Sequence, residues 1–250
     1  ATGWYYGNKV YSADTSFTWS VSDALGTIDE DGTFTAVQTG RDVTGTLTVT
    51  YGETSCTLPV TVGSSQPFDD TKGHWAESYI TELYYAGTLQ GSEKNGKLYY
   101  RPDASMTRQE FIVAMMRYLG TDLSAYASVQ LPFDDSGSIA SWAKSAMQAA
   151  YQLGYLTGSK TNGKLLAKPG STISRQEAMT ILSRTKDFAD ADLNVLSAFS
   201  DSGKIADWAR TALAQMTQQK IISGSKGKLN PTGKVTRAEV AKMLYMLSET

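Results

Sequence analysis

Apolar residues recur at helical spacing through the C-terminal three quarters of the chain. Phe111, Ala114, Met115 and Tyr118 fall at i, i+3, i+4 and i+7, as do Val240, Met243, Leu244 and Leu247, and Ala178, Ile181 and Leu182 give a middle member of the series. Each set predicts an amphipathic helix with one stripe facing a core. A preceding helix is predicted near each of three tryptophans, with Ile80, Leu83 and Tyr84 on one face in the first case. The first 63 residues follow another rhythm. Alternation over 17–21, 46–50 and 56–62 predicts antiparallel strands, and Asp29-Glu30-Asp31-Gly32 reads as a turn between Ile28 and Phe34. On such a strand Cys56 reads as a small core residue. The small residues and proline at 64–67 read as a linker.

The helical pattern is a repeat. Phe68-Asp69-Asp70, Trp75-Ala76, Gly91-Ser92, Pro102 and Thr107-Arg108-Gln109-Glu110 return as Phe133-Asp134-Asp135, Trp142-Ala143, Gly158-Ser159, Pro169 and Ser174-Arg175-Gln176-Glu177. They return again as Phe199-Ser200-Asp201, Trp208-Ala209, Gly224-Ser225, Pro231 and Thr236-Arg237-Ala238-Glu239. Tryptophan to glycine is 16 positions in every copy and proline to arginine is 6, whereas glycine to proline is 11, 11 and 7. All the slack lies in one segment per copy, which is therefore a surface loop. Three helix-loop-helix units, each too small to bury its own stripe, should pack around a common axis. The reading is thus multi-domain: a β module over 1–63, a linker over 64–67, and repeats over 68–122, 133–188 and 199–250.

Each tetrad matches the capping box S/T-x-x-E directly before a helix, which accounts for the hydroxyl and the glutamate structurally. The arginine is not explained that way, because a cation at the first helical position opposes the macrodipole. Arg108, Arg175 and Arg237 are therefore candidates for an anion site beside free helix amides; the structural alternative is an ion pair with Asp70, Asp135 or Asp201. Trp75, Trp142 and Trp208 suit either a core or the wall of a sugar-binding groove. The aspartates could form acid/base pairs for glycoside hydrolysis, but their recurrence at helix entries favours N-capping. Lys97, Lys164 and Lys228 recur in Gly-Lys-Leu triplets on the elastic loop, solvated or holding an anionic ligand. His74 occurs in one copy only and reads as a surface residue.

Composition narrows the classes. A net charge of −2 opposes general nucleic-acid binding. One cysteine and one histidine leave no disulfide framework, no metal-ligating cluster and no Ser-His-Asp or Cys-His catalytic set. No cofactor is implied, and no apolar run approaches the length of a membrane span.

The threefold order of F-x-D, W-A, glycine loop and T-R-A-E resembles the surface-layer homology (SLH) domain family. Thr236-Arg237-Ala238-Glu239 matches its signature tetrad unaltered, while Gln109, Gln176 and Ser174 depart from it, and the family's HWA is complete only at His74-Trp75-Ala76. The stretch 26–36, with Trp19-Ser20 before it, resembles bacterial Ig-like domains of group 2, short of a full sandwich by a strand or two. The resemblance implies an all-α pseudo-threefold bundle behind an all-β Ig-like sandwich. It implies a non-catalytic, extracellular cell-wall or S-layer anchor of a Gram-positive secreted protein, monomeric when isolated and part of something larger. The implied partner is secondary cell wall polysaccharide, bound at a pyruvylated N-acetylmannosamine terminus in grooves between repeats. There the arginines would meet the ketal carboxylate, the tryptophans the sugar face, Gly91, Gly158 and Gly224 would allow close approach, and Ser92, Ser159 and Ser225 would donate hydrogen bonds. Two alternatives remain at this point: a protein-interaction module and a glycosidase.

Overall fold

A computed structural model describes residues 17–250 in full; before them it describes only the backbone of β1 (Gly3–Tyr5) and β2 (Asn8–Val10), an antiparallel pair. The rest of residues 1–16 of the expected β module falls outside the described residues. The chain divides into two compact units, Ala1–Pro67 and Phe68–Thr250.

In the first unit, β3 (Thr18–Val21), β6 (Val43–Tyr51) and β7 (Thr54–Val62) lie on the alternating segments, and β4 (Gly26–Ile28) and β5 (Phe34–Ala36) flank the predicted turn. They form a three-stranded antiparallel sheet, β3-β6-β7, and a β4-β5 pair. The turn between β4 and β5 is closed by Asp29, whose Oδ1 accepts from the amides of Asp31 (3.1 Å) and Thr33 (2.7 Å). Leu25 is fully buried. Cys56 is exposed rather than core, because β7 is an edge strand exposed along most of its length; alternation there reflects propensity, not a covered face. Ser64 and Ser65, the start of the expected linker, still belong to this unit's packing: their amides donate to Asp42 Oδ1 (2.8 Å) and the Thr39 carbonyl (2.9 Å).

The second unit contains α1 (Glu77–Tyr85), β8 (Ser92–Lys94), β9 (Lys97–Tyr99), α2 (Arg108–Tyr118), α3 (Lys144–Gln152), β10 (Ser159–Thr161), β11 (Lys164–Leu166), α4 (Arg175–Leu182), α5 (Arg210–Gln218) and α6 (Arg237–Ser248). It is not purely helical. The elastic loop is a β-hairpin in the first two repeats and a four-residue turn, bridged at Ser225 and Lys228, in the third. Asn95-Gly96 and Asn162-Gly163, all with positive φ, form the hairpin tips, the backbone that a two-residue turn between twisted strands requires.

The repeats close on themselves. The first helix of each repeat packs on the second helix of the one before it: α3 on α2, α5 on α4, and α1 on α6. At the centre three buried residues pass backbone bonds in a cycle: Met106 donates to Val235 (3.1 Å), Val235 to Ile173 (3.1 Å) and Ile173 to Met106 (3.0 Å). The second helices are consequently buried on most sides. Phe111, Ile112, Val113, Ala114, Met115 and Met116 are all core, so the predicted single stripe is too narrow for a helix that lines the axis.

Candidate functional site

The three capping boxes form as expected, with Glu110, Glu177 and Glu239 each accepting from the amide of its own N-cap residue. The helix N-termini, however, offer no free amides to an anion. Arg108 and Gln109 donate theirs to the carbonyls of Ser171 and Pro169, Arg175 and Gln176 to Gly233 and Pro231, and Arg237 and Ala238 to Ala104 and Pro102. The proline loop of each following repeat is thus the cap of the helix before it.

Nor do the arginines pair with the aspartates. Each reaches the tetrad glutamate of the next repeat: Arg108 Nη1 to Glu177 Oε1 at 2.8 Å, Arg175 Nη1 to Glu239 Oε1 at 2.9 Å, and Arg237 to Glu110 at 4.0 Å. Every tetrad glutamate therefore serves two helices, through a cap in its own repeat and an ion pair with its predecessor. The ring is not symmetric in detail. Arg108 Nε donates to the Ala167 carbonyl (2.9 Å) and Arg237 Nε to that of Tyr100 (2.7 Å), whereas Arg175 Nε is buried with no acceptor. Burial pulls Arg175 below the ordinary guanidinium range, opposed by Glu239. Arg237 is the most internally committed, with Nη2 on the Gln90 carbonyl (2.9 Å) and its guanidinium 4.5 Å from the centre of the Tyr100 ring.

Gln109 and Gln176, at the tetrad position that Ala238 takes in the third repeat, add a further link in this ring. Gln109 Oε1 accepts from the Ala140 amide (3.0 Å) and Gln176 Oε1 from Ala206 (3.1 Å), each at the entry to the next repeat's first helix. Ala238 cannot do so, and at the matching entry Gly73 donates instead to Glu77 (2.6 Å).

The aspartates hold the elastic loop rather than cap helices. Both carboxylate oxygens accept amides beyond the loop: Asp70 from Tyr100 and Arg101, Asp135 from Ala167 and Lys168, Asp201 from Leu229 and Asn230, at 2.7–2.9 Å. The second donor always has positive φ, so the carboxylate fixes a backbone conformation that these residues adopt at a cost. Asp69 pairs with Lys97 (3.2 Å) and Asp134 accepts from the Leu165 amide (2.7 Å). His74 is largely covered, its Nδ1 accepting from the Ala76 amide (3.1 Å). Gly91, Gly158 and Gly224 are demanded by packing, because a Cβ there would meet the rings of Phe68, Phe133 or Phe199 at 2.4–2.7 Å.

For Asp201, burial favours the neutral acid, but the Leu229 and Asn230 amides and nearby Lys204 outweigh it and lower its pKa. A depressed carboxyl stabilises the fold fully above its unfolded value of about 3.9 and loses that contribution as pH falls through the folded value. Asp201→Asn should therefore flatten the acid limb of the stability curve followed by circular dichroism; an unchanged acid limb would show that the clamp does not titrate with unfolding.

The tryptophans are exposed, at 55% for Trp75 and 58% for Trp142 and Trp208. They are not core. Two of them wall cavities at equivalent joints of the ring. The first, about 300 Å³, gathers Arg108 from repeat 1, Gly158, Ser159, Glu177 and Arg184 from repeat 2, and Trp208 from repeat 3. The second, about 630 Å³, gathers Arg175 from repeat 2, Gly224, Ser225, Lys228 and Glu239 from repeat 3, and Trp75 from repeat 1. Arginine, glycine-serine loop and tryptophan of one copy thus never meet; each cavity draws them from three different copies. At the third joint Ser92 Oγ accepts from Arg101 (3.2 Å). Lys164 lines neither cavity, since its hairpin carries it away.

Arg184 was not among the sequence candidates. Its Nη1 donates to the Tyr155 carbonyl (2.8 Å), and burial, then repulsion from Arg108, lowers its pKa. The two guanidiniums share Glu177 as the one acid lining their cavity. The signal was available, since Arg117 and Arg184 both lie nine positions beyond a tetrad arginine. Among the described residues no cluster of His, Cys, Asp and Glu could hold a metal ion, and no helix is long and apolar enough to cross a membrane.

The S-layer homology domain profile matches residues 67–112, 132–179 and 198–241, together more than half of the chain. The chain belongs to the S-layer homology domain family. Membership makes it a surface-attachment module of the cell wall or S-layer. It is 28% identical to an amylopullulanase of Thermoanaerobacterium thermosulfurigenes over 81% of this chain and 10% of that protein. It is 28% identical to the exoglucanase XynX of Acetivibrio thermocellus over 93% of this chain and 21% of that protein. With the surface-layer 125 kDa protein of Lysinibacillus sphaericus the identity is 32% over 72% of this chain and 15% of that protein. The chain therefore spans about a tenth to a fifth of these relatives, and enzymes and a surface-layer protein alike share this region with it.

Proposed function

We propose that the chain anchors its parent protein without catalysis, by binding secondary cell wall polysaccharide through a pyruvylated N-acetylmannosamine terminus in the inter-repeat cavities. The observation that carries this reading is the threefold assembly of each cavity: a cation, a hydroxyl-bearing loop and an exposed indole face converge from separate repeats. A ketal carboxylate suits the arginine, which lines each cavity beside a single glutamate and in one of them faces a second guanidinium. The sugar's apolar face suits the indole. We read the N-terminal unit as an Ig-like spacer, on the strength of its antiparallel sheets and clamped turn.

Purified wall sacculi should capture the chain before, and not after, their pyruvate ketals are chemically removed, and the free pyruvylated sugar should compete. Equal capture from stripped and intact walls would sink the proposal.

A further inference from the structure

The cavity around Arg175 differs from its counterpart in charge, size and construction. Arg175, Lys226, Lys228 and Lys242 line it against one acid, Glu239; Arg108 and Arg184 line the smaller cavity against Glu177. None of the three lysines lies within ion-pair distance of a carboxylate among the described residues.

The shortened loop of repeat 3 explains how they arrive. In repeats 1 and 2 two further residue pairs, beyond the one that the landmark serine itself makes, separate the glycine-serine landmark from the hairpin tip. In repeat 3 the tip follows at once, as Ser225-Lys226-Gly227-Lys228, so the tip itself lines the cavity. Lys226 occupies the left-handed position (φ 49°) that Asn95 and Asn162 hold in the other repeats. Asparagine tolerates that conformation better than lysine does, and residues held in a disfavoured conformation cluster at ligand sites. Lys242 comes from α6, at the position that Thr180 takes in α4. Beside these lysines Arg175 lines the same cavity.

We infer that this cavity takes a glycan segment bearing two acidic groups, the terminal ketal carboxylate at Arg175 and a second acid, phosphate or carboxylate, held by Lys226, Lys228 and Lys242. The inference rests on the sugar-binding reading above and adds the charge of the neighbouring part of the polymer. The smaller cavity, with no lysine, takes the singly charged terminus.

The test uses the full chain carrying Trp208→Ala, which removes an exposed wall of the other cavity. Three probes are titrated calorimetrically: the methyl glycoside of the pyruvylated amino sugar, its phosphate monoester, and a disaccharide joining it to a uronic acid. At least one of the two-acid probes should bind about tenfold tighter than the singly charged one, with the steeper salt dependence of added ion contacts; the probe that gains identifies the acid. Adding Lys226→Asn and Lys242→Thr, the residues of repeat 2, should abolish the gain while singly charged binding stays. Equal affinity for all three probes, or a gain that survives the lysine replacements, overturns the inference and leaves the sugar reading intact. Binding of none of them overturns both.

Discussion

Glu177→Ala should lower the unfolding free energy by about 3 kcal/mol, more than a lost helix cap alone, which costs about 1 kcal/mol. The carboxylate accepts from the amide and hydroxyl of Ser174 (2.8 and 2.6 Å) and from Arg108 Nη1 (2.8 Å). Its removal opens the cap of α4 and strands a guanidinium whose side chain is only 10% exposed. Breaking a buried pair from one side costs about 3–5 kcal/mol, and Glu177, being a third exposed, brings the expectation to the lower end of that range. The control is Glu110→Ala, which opens an equivalent cap but loses a 4.0 Å contact to an arginine already bonded to two carbonyls. Chemical denaturation should rank Glu177→Ala well below Glu110→Ala. Equal losses would mean that the ion pair contributes nothing beyond the cap.

That ranking depends on a relation between repeats, the level at which the sequence is least informative. Features that express local backbone chemistry are legible directly: the capping boxes and the elastic loop within each repeat, and the strand alternation of the N-terminal unit, are each found where the pattern lies. Arg108 and Glu110 are two residues apart in one tetrad, yet the partner of Arg108 is Glu177 and that of Glu110 is Arg237. Repetition conceals such pairing, because every copy carries both halves and a linear reading cannot distinguish a bond within a copy from one between copies. The same holds for the proline loops, which look like connectors and act as the caps of neighbouring helices. The second helices are buried beyond one stripe for a related reason, since a helix at the axis meets neighbours from other repeats as well as its own. The pattern leaves the role of the tryptophans open, because an aromatic beside a helix start serves a core and a groove wall equally well.

Trp75→Ala and Trp208→Ala should each weaken binding of the pyruvylated sugar in one cavity roughly 30-fold, the loss of about 2 kcal/mol common for an aromatic anchor, while the melting temperature stays within about a degree of the parent chain. Both indoles are more than half exposed and neither belongs to the core, so truncation removes ligand contact without opening a hole. Because each cavity borrows its tryptophan from a third repeat, Trp208→Ala should affect the cavity of Arg108 and Trp75→Ala that of Arg175. Resonances of Ser159 and Ser225 can report the two titrations separately. A chain that holds a wall polymer at two cavities gains from effective concentration, so either single replacement should reduce retention on sacculi by more than its monosaccharide effect. The double replacement should release the chain altogether. If Trp208→Ala instead disturbed the titration at Ser225 and spared Ser159, the assignment of tryptophans to cavities would be wrong, and the three-copy construction of the binding site would fall with it.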